Sequence, residues 1–249
     1  METTTDKLLG GRFAVEQPAK GYRIAVDTLL LASAVDARAG QSVLELGCGV
    51  GGVMLALATR VEGIHITGVE IQAYMTDLCA SNIRLNSFES RMKVMEGDIA
   101  TLHEELKGAH DHVMMNPPFH DGKKHSASAD PSKKMANTES EEADLGLWIA
   151  QSACALKENG TMTMIHRVDR KDEIIALATP HFDALTIKPI WSKDDGTCKR
   201  IILRAKKNAD AKGVSTVAPL ILYGKDGRYS DAGEEILRHA QAMEIGEGA

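Results

Sequence analysis

The 249-residue chain predicts an α/β fold: a seven-stranded, mostly parallel sheet with helices on both faces and an antiparallel hairpin near the C-terminus. Three observations carry this expectation. From about residue 42, short β-branched runs alternate with longer amphipathic stretches, the pattern of a parallel sheet whose crossovers are helical. A glycine cluster, Gly47-Cys48-Gly49-Val50-Gly51-Gly52, follows the first run and opens a helix. Late in the chain the alternation breaks: the polar turn 192–197 joins two strand runs with no room for a helix, so that pair must be antiparallel.

Before residue 40, the apolar run Thr28 to Ala34 reads as a helix with Asp27 as its cap. Strands are expected at Ser42–Leu46, His65–Ile71, Met92–Glu96, Asp111–Met115, Thr161–His166, Leu185–Ile190 and Arg200–Arg204. Helices are expected near Val53–Arg60, Ala73–Asn86, Thr101–Leu106, Glu142–Leu156 and Arg170–Ala178. The stretch from His120 to Ser140 is polar, rich in Ser, Lys and Asp, and holds Pro131. A loop of that length in a compact domain is functional or disordered. No internal repeat or composition shift marks a second domain, so residues 1–249 read as one domain, with 1–40 as a lead-in and 120–140 as a substrate loop.

Hydrophobic residues make up 43% and charged residues 26%, enough for a sizeable core. No apolar run approaches the roughly 18–20 residues that span a bilayer. The start, Met1 to Asp6, has neither the basic patch nor the apolar stretch of a secretory signal. Cys48, Cys79, Cys154 and Cys198 form no C-x-x-C pair and have no His at metal spacing. Free thiols in a reducing cytoplasm, without a metal, are the expectation. The net charge of −6 weighs against indiscriminate nucleic-acid binding, but four basic runs stand out: Lys123-Lys124-His125, Lys133-Lys134, Arg167 to Lys171, and Lys199 to Lys207. Such runs are often only a solvated face.

The chemistry concentrates at strand ends. Taken alone, Gly47, Gly49 and Gly52 also satisfy a dinucleotide fingerprint. Three acids weigh against that reading or extend it. Glu45, two residues before the first glycine, can bind an ammonium and would repel a pyrophosphate. Glu70 ends the second strand, where an acid accepts ribose hydroxyls. Asp98 follows the third strand and can accept from an adenine amino group. Singly, each is commonly a solvated surface acid; together they mark the ligand-binding edge of such sheets.

Asn116-Pro117-Pro118-Phe119 then follows the fourth strand. A conjugated amine is a poor nucleophile because its lone pair is delocalised. The Asn116 side-chain oxygen and the Pro117 carbonyl can accept from its N–H groups, aligning the nitrogen and stabilising the positive charge that develops on it. Proline stiffens the turn and adds no competing donor, and Phe119 offers a flat face for stacking.

These motifs resemble those of class I S-adenosylmethionine-dependent methyltransferases, which have a Rossmann-like fold, and the N-P-P-F form resembles the amino-methylating subset. The match covers about Ser42 to His166. A narrower resemblance, to bacterial tRNA(Val) adenine-N6 methyltransferases, rests on Gln17, Gly21-Tyr22-Arg23, Asp27 to Ala32, Lys199 to Arg204, and Pro219 to Tyr229. It implies an N6-methylated adenine beside the anticodon, in-line transfer without a metal, and a lead-in that covers the cofactor site. Tyr22, Asp27, Glu45, Gly47, Cys48, Gly49 and Gly51 would hold S-adenosylmethionine with Glu70, Ile71, Asp98, Ile99 and Asn116. Asn116, Pro117, Pro118 and Phe119 would be catalytic, and Lys123, Lys124, Lys133 and Lys134 would contact the tRNA anticodon arm. Three other readings stay open on the sequence: glutamine-N5 methylation of a release factor, a non-catalytic cofactor-binding RNA-interaction protein, and a dehydrogenase. Only 44 residues precede Glu45, too few for the helical domain that glutamine methylation normally brings.

Overall fold

The computed structural model describes residues 2–21, 23–118, 145–210 and 212–246. It opens with an antiparallel hairpin, β1 (Thr3–Leu8) and β2 (Phe13–Pro18). Period-two alternation builds β2: Phe13, Val15 and Gln17 are all buried. Helix α1 (Val26–Ala34) leads into β3 (Ser42–Leu46), α2 (Gly52–Arg60), β4 (His65–Glu70), α3 (Ala73–Leu85), β5 (Met92–Glu96) and β6 (His110–Met115). After residue 144 come α4 (Leu145–Ala155), β7 (Leu156–Arg167), α5 (Lys171–Ala178), β8 (Ala184–Trp191) and β9 (Cys198–Lys206). The short strands β10 (Gly213–Thr216) and β11 (Leu220–Ile221) precede α6 (Asp231–His239).

The seven expected strands all form, in the order β8-β9-β7-β6-β3-β4-β5. Neighbours pair parallel except β9, which is antiparallel to β7 and β8. On the other side of β8, the unforeseen strands β10 and β11 add parallel pairings. One apolar layer, with α1, α2, α3, α6 and the hairpin, covers one face; α4 and α5 cover the other. Along β3, Val43 packs into the first layer and Leu44 and Leu46 into the second. Burial on both faces is why these strands read as continuous apolar runs.

Two expectations need correction. Asp27 is not the cap of α1: the helix has already begun at Val26, with Thr28 N–H donating to the Ala25 carbonyl at 3.1 Å. The Thr101–Leu106 helix is instead two 3-10 turns, Ile99–Thr101 and Glu104–Leu106. Leu102 and His103 adopt ψ near 130° and 137°, so the ladder breaks between them. Ile99, Leu102 and Leu106 still bury themselves in the second layer, which is the periodicity the sequence displays. Among the described residues no helix is long and apolar enough to cross a membrane.

Candidate active site

From β3 the chain winds outward through β4 and β5, then returns to place β6 on the opposite side of β3. Open α/β sheets receive ligands at such a reversal, beyond the carboxyl ends of the strands. Leu46 opposes Val69 on one side and Met115 on the other, while Glu70 opposes Glu96. The glycine loop, Glu70, Asp98 and Asn116 therefore leave four adjacent strands at one edge. Three strand spacings, about 14 Å, contain them all.

Left-handed backbone dictates the glycines: φ is 65° at Gly47, 53° at Gly49 and 84° at Gly51. Packing adds a second demand at two of them. A Cβ on Gly47 would lie 2.5 Å from the Trp148 ring, and one on Gly51 would lie 2.7 Å from Cys79 Sγ. A Cβ on Gly49 would meet nothing within 4 Å, so the loop is open there. At Gly47 and Gly51 the close approach is therefore by other parts of the protein.

Carboxylates shape the loop from beneath. Glu70 Oε2 accepts from Gly49 N–H at 2.8 Å and Oε1 from Gln72 N–H at 3.0 Å. Glu45 is only 2% exposed and accepts from Met54 N–H at 3.2 Å, in the first turn of α2. Burial pushes its carboxyl well above the usual range, reinforced by Cys79 and Glu70 and opposed by the Met54 N–H. Among the described residues no cation pairs with Glu45. Cys48 is buried beside Glu45 and Cys79, and that neighbourhood raises its thiol too.

The remaining expected residues spread along the same edge. Asp98 is exposed and caps a 3-10 turn through Ala100 N–H at 2.8 Å. Ile71 is 44% exposed, next to Glu70, while Ile99 is buried. Asn116 is half-buried, Pro117 buried and Pro118 exposed. Asp27 sits in the first turn of α1, its carboxylate 2.9 Å from Arg200 Nε on β9. Tyr22, Phe119, Lys123, Lys124, Lys133 and Lys134 lie outside the described residues.

In two basic runs the arginines are largely engaged, while Lys199 and Lys206 are exposed. Arg167 pairs with Asp169, and Arg170 with Glu173. Arg204 donates to the Ala34 carbonyl at 2.7 Å, and Lys207 to the Ala153 carbonyl at 3.0 Å. The run Lys199 to Lys207 lies along β9, so its far end falls at the opposite edge of the sheet.

One buried residue near the loop has no counterpart in the sequence reading. Asn82 on α3 is fully buried and reaches both Glu16 of the hairpin and Val50 of the glycine loop. Its only sequence signal is the repeat of asparagine at Asn86, one helical turn later.

Comparison with solved structures sets this architecture among methyltransferases. A predicted O-methyltransferase from Agrobacterium tumefaciens superposes with a TM-score of 0.72 at 23% identity, covering 88% of this chain and 98% of the other. The Thermus thermophilus 16S rRNA N2 G1207 methyltransferase, solved with AdoMet and guanosine, gives 0.60 at 20% identity, over 83% of this chain and 50% of that one. Among curated relatives, a tRNA1(Val) (adenine(37)-N6)-methyltransferase from Actinobacillus pleuropneumoniae serotype 7 is 25% identical over 230 residues, spanning 91% of this chain and 93% of its own. Fold and sequence together define an S-adenosylmethionine-dependent methyltransferase. The chain belongs to the methyltransferase small domain family, whose model matches residues 21–177.

The residues present fit that cofactor. Glu45 is a buried acid with no protein cation among the described residues, the complement of an ammonium. Ile71 offers an exposed apolar surface next to the Glu70 carboxylate at the same strand end, the pairing of surfaces a nucleoside requires.

Proposed function

We propose that this chain methylates the N6 amino group of an adenine in tRNA, beside the anticodon, in the cytoplasm. The observation that carries the reading is the departure of Asn116-Pro117-Pro118 from β6 at the level where the glycine loop leaves β3. The name and near full-length match of the Actinobacillus relative support adenine in tRNA as the target.

S-adenosylmethionine, when bound, supplies a methyl group activated on a sulfonium. Glu45 receives the ammonium of its methionine part, and Glu70 accepts from the ribose hydroxyls. Asp98 takes the adenine amino group, with Ile71 and Ile99 against the base. The loop residues Gly47, Cys48, Gly49 and Gly51 present their backbone to the cofactor, and Tyr22 and Asp27 belong to the lead-in that covers it. The Asn116 oxygen and the Pro117 carbonyl accept from the target amine, aligning its nitrogen for direct in-line attack. Their oxygens also stabilise the positive charge that grows on the nitrogen. Pro118 stiffens the turn, and Phe119 stacks on the base. Residues 1–249 act as a single domain in this reading.

Labelled methyl transfer to tRNA, rRNA, DNA and protein fractions from a strain lacking the gene tests it. N6-methyladenosine in digested tRNA is the expected product; label confined to protein would move the reaction to glutamine amide. Asn116→Ala should keep cofactor Kd within about threefold while methylation falls by orders of magnitude. A near-normal rate would remove Asn116 from its role.

A further inference from the structure

We propose that Asn82 is a positioning residue for the cofactor: its carboxamide joins the N-terminal hairpin to the glycine loop and sets the loop's shape. The proposal rests on the reading that this loop holds S-adenosylmethionine.

Every polar atom of the Asn82 side chain is engaged. Its Oδ1 accepts from Glu16 N–H at 2.7 Å, and its Nδ2 donates to the Glu16 carbonyl at 2.8 Å and to the Val50 carbonyl at 3.0 Å. Because Glu16 N–H needs an acceptor, the amide orientation is fixed, and both N–H donors point at carbonyls. Val50 lies between the left-handed Gly49 and Gly51. The loop is therefore gripped on both sides: Glu70 takes the Gly49 N–H, and Asn82 takes the Val50 carbonyl.

Asn86 makes the same hairpin contact without the loop contact. Its Oδ1 accepts from Ala14 N–H at 2.9 Å, and its Nδ2 donates to the Ala14 carbonyl at 2.7 Å. The second Nδ2 hydrogen goes to the Asn82 backbone carbonyl at 2.8 Å. Two asparagines one turn apart thus replace a strand along the edge of β2. The spacings agree, since four helical residues rise about 6 Å and two strand residues about 6.8 Å. Hairpin docking is shared by both asparagines; loop positioning belongs to Asn82.

The pair provides an internal control. Titration calorimetry with S-adenosylhomocysteine, well below each variant's Tm, would compare Asn82→Ala, Asn82→Asp and Asn86→Ala with the parent. Asn86→Ala should lower Tm and leave Kd within twofold. Asn82→Ala and Asn82→Asp should weaken binding at least tenfold, the second because a carboxylate facing Val50 has no donor. If neither folds, Asn82→Ser, which keeps one hydroxyl donor, should show an intermediate loss. Equal Kd losses at Asn82 and Asn86, or none at Asn82, would overturn the proposal. Gly49→Val separates the two levels. If it leaves Kd unchanged, the loop does not hold the cofactor and both ideas fall; if it abolishes binding while Asn82→Ala does not, only the Asn82 role falls.

Discussion

Glu45 answers to two demands that pull its charge in opposite directions. Burial favours the neutral acid in the free protein, with Cys79 and Glu70 adding to that preference and only Met54 N–H opposing it. An ammonium placed against it favours the carboxylate. The folded pKa lies well above that of an ordinary glutamate, so the stability this group contributes is fully present below the ordinary glutamate range. It is lost as pH rises through the folded pKa. Thermal unfolding between pH 5 and 8 should show the free protein losing Tm with rising pH, and Glu45→Gln should flatten the profile. S-adenosylmethionine should bind with release of a proton and more tightly as pH rises, until its own α-amino group, near about 8, deprotonates. Parallel Tm profiles for parent and variant would refute this account. The placement of Glu45 and Asn116 at strand ends was legible in the sequence because each stands at a fixed offset from an apolar strand run. Asn82 was not, since its partners Glu16 and Val50 lie far away in the chain and nothing local announces them.

Among the elements, legibility followed periodicity. The central strand β3, covered on both faces, was found to the residue, while β7 begins five residues before the expected Thr161. The N-terminal hairpin escaped notice because β1 is Thr-rich and largely exposed, and because β2 pairs on one side with asparagine side chains. The edge strands β10 and β11 are too short to carry a period. Helix α6 shows how packing can overrule propensity. Ser230 caps it by accepting from Gly233 N–H at 3.0 Å, and Ile236 and Leu237 bury into the first layer. In an isolated helix Gly233→Ala would gain about 0.5–1 kcal/mol. Here the new Cβ would lie 2.7 Å from the Leu222 carbonyl oxygen, a backbone atom that moves only with β11. Overpacking of about 1–3 kcal/mol outweighs the gain, so urea unfolding should show a net loss of stability. A stabilised variant would mean that α6 shifts freely.

At the scale of the whole molecule, the difficulty is a net charge of −6 on a protein proposed to bind tRNA. Much of the positive charge on and beside β7 and β9 is already engaged: Arg167, Arg170 and Arg200 each have a carboxylate partner, and Arg204 and Lys207 serve backbone carbonyls. Lys199 is exposed at the site edge and Lys206 at the far one. Phosphate attraction then needs more cations than Lys199, and the sequence supplies Lys123, Lys124, Lys133 and Lys134 after the Asn116 motif. Each phosphate contact contributes a slope of about −0.7 to −0.9 in log K against log salt. Replacing all four lysines with serine should therefore raise the RNA KM strongly and flatten the salt dependence of RNA binding by two or more such contacts. Cofactor Kd, which the proposed site assigns to the strand-end acids and the glycine loop, should stay unchanged. An unaltered salt slope would return the RNA contact to the paired arginines, and their carboxylate partners would then have to exchange for phosphate on binding.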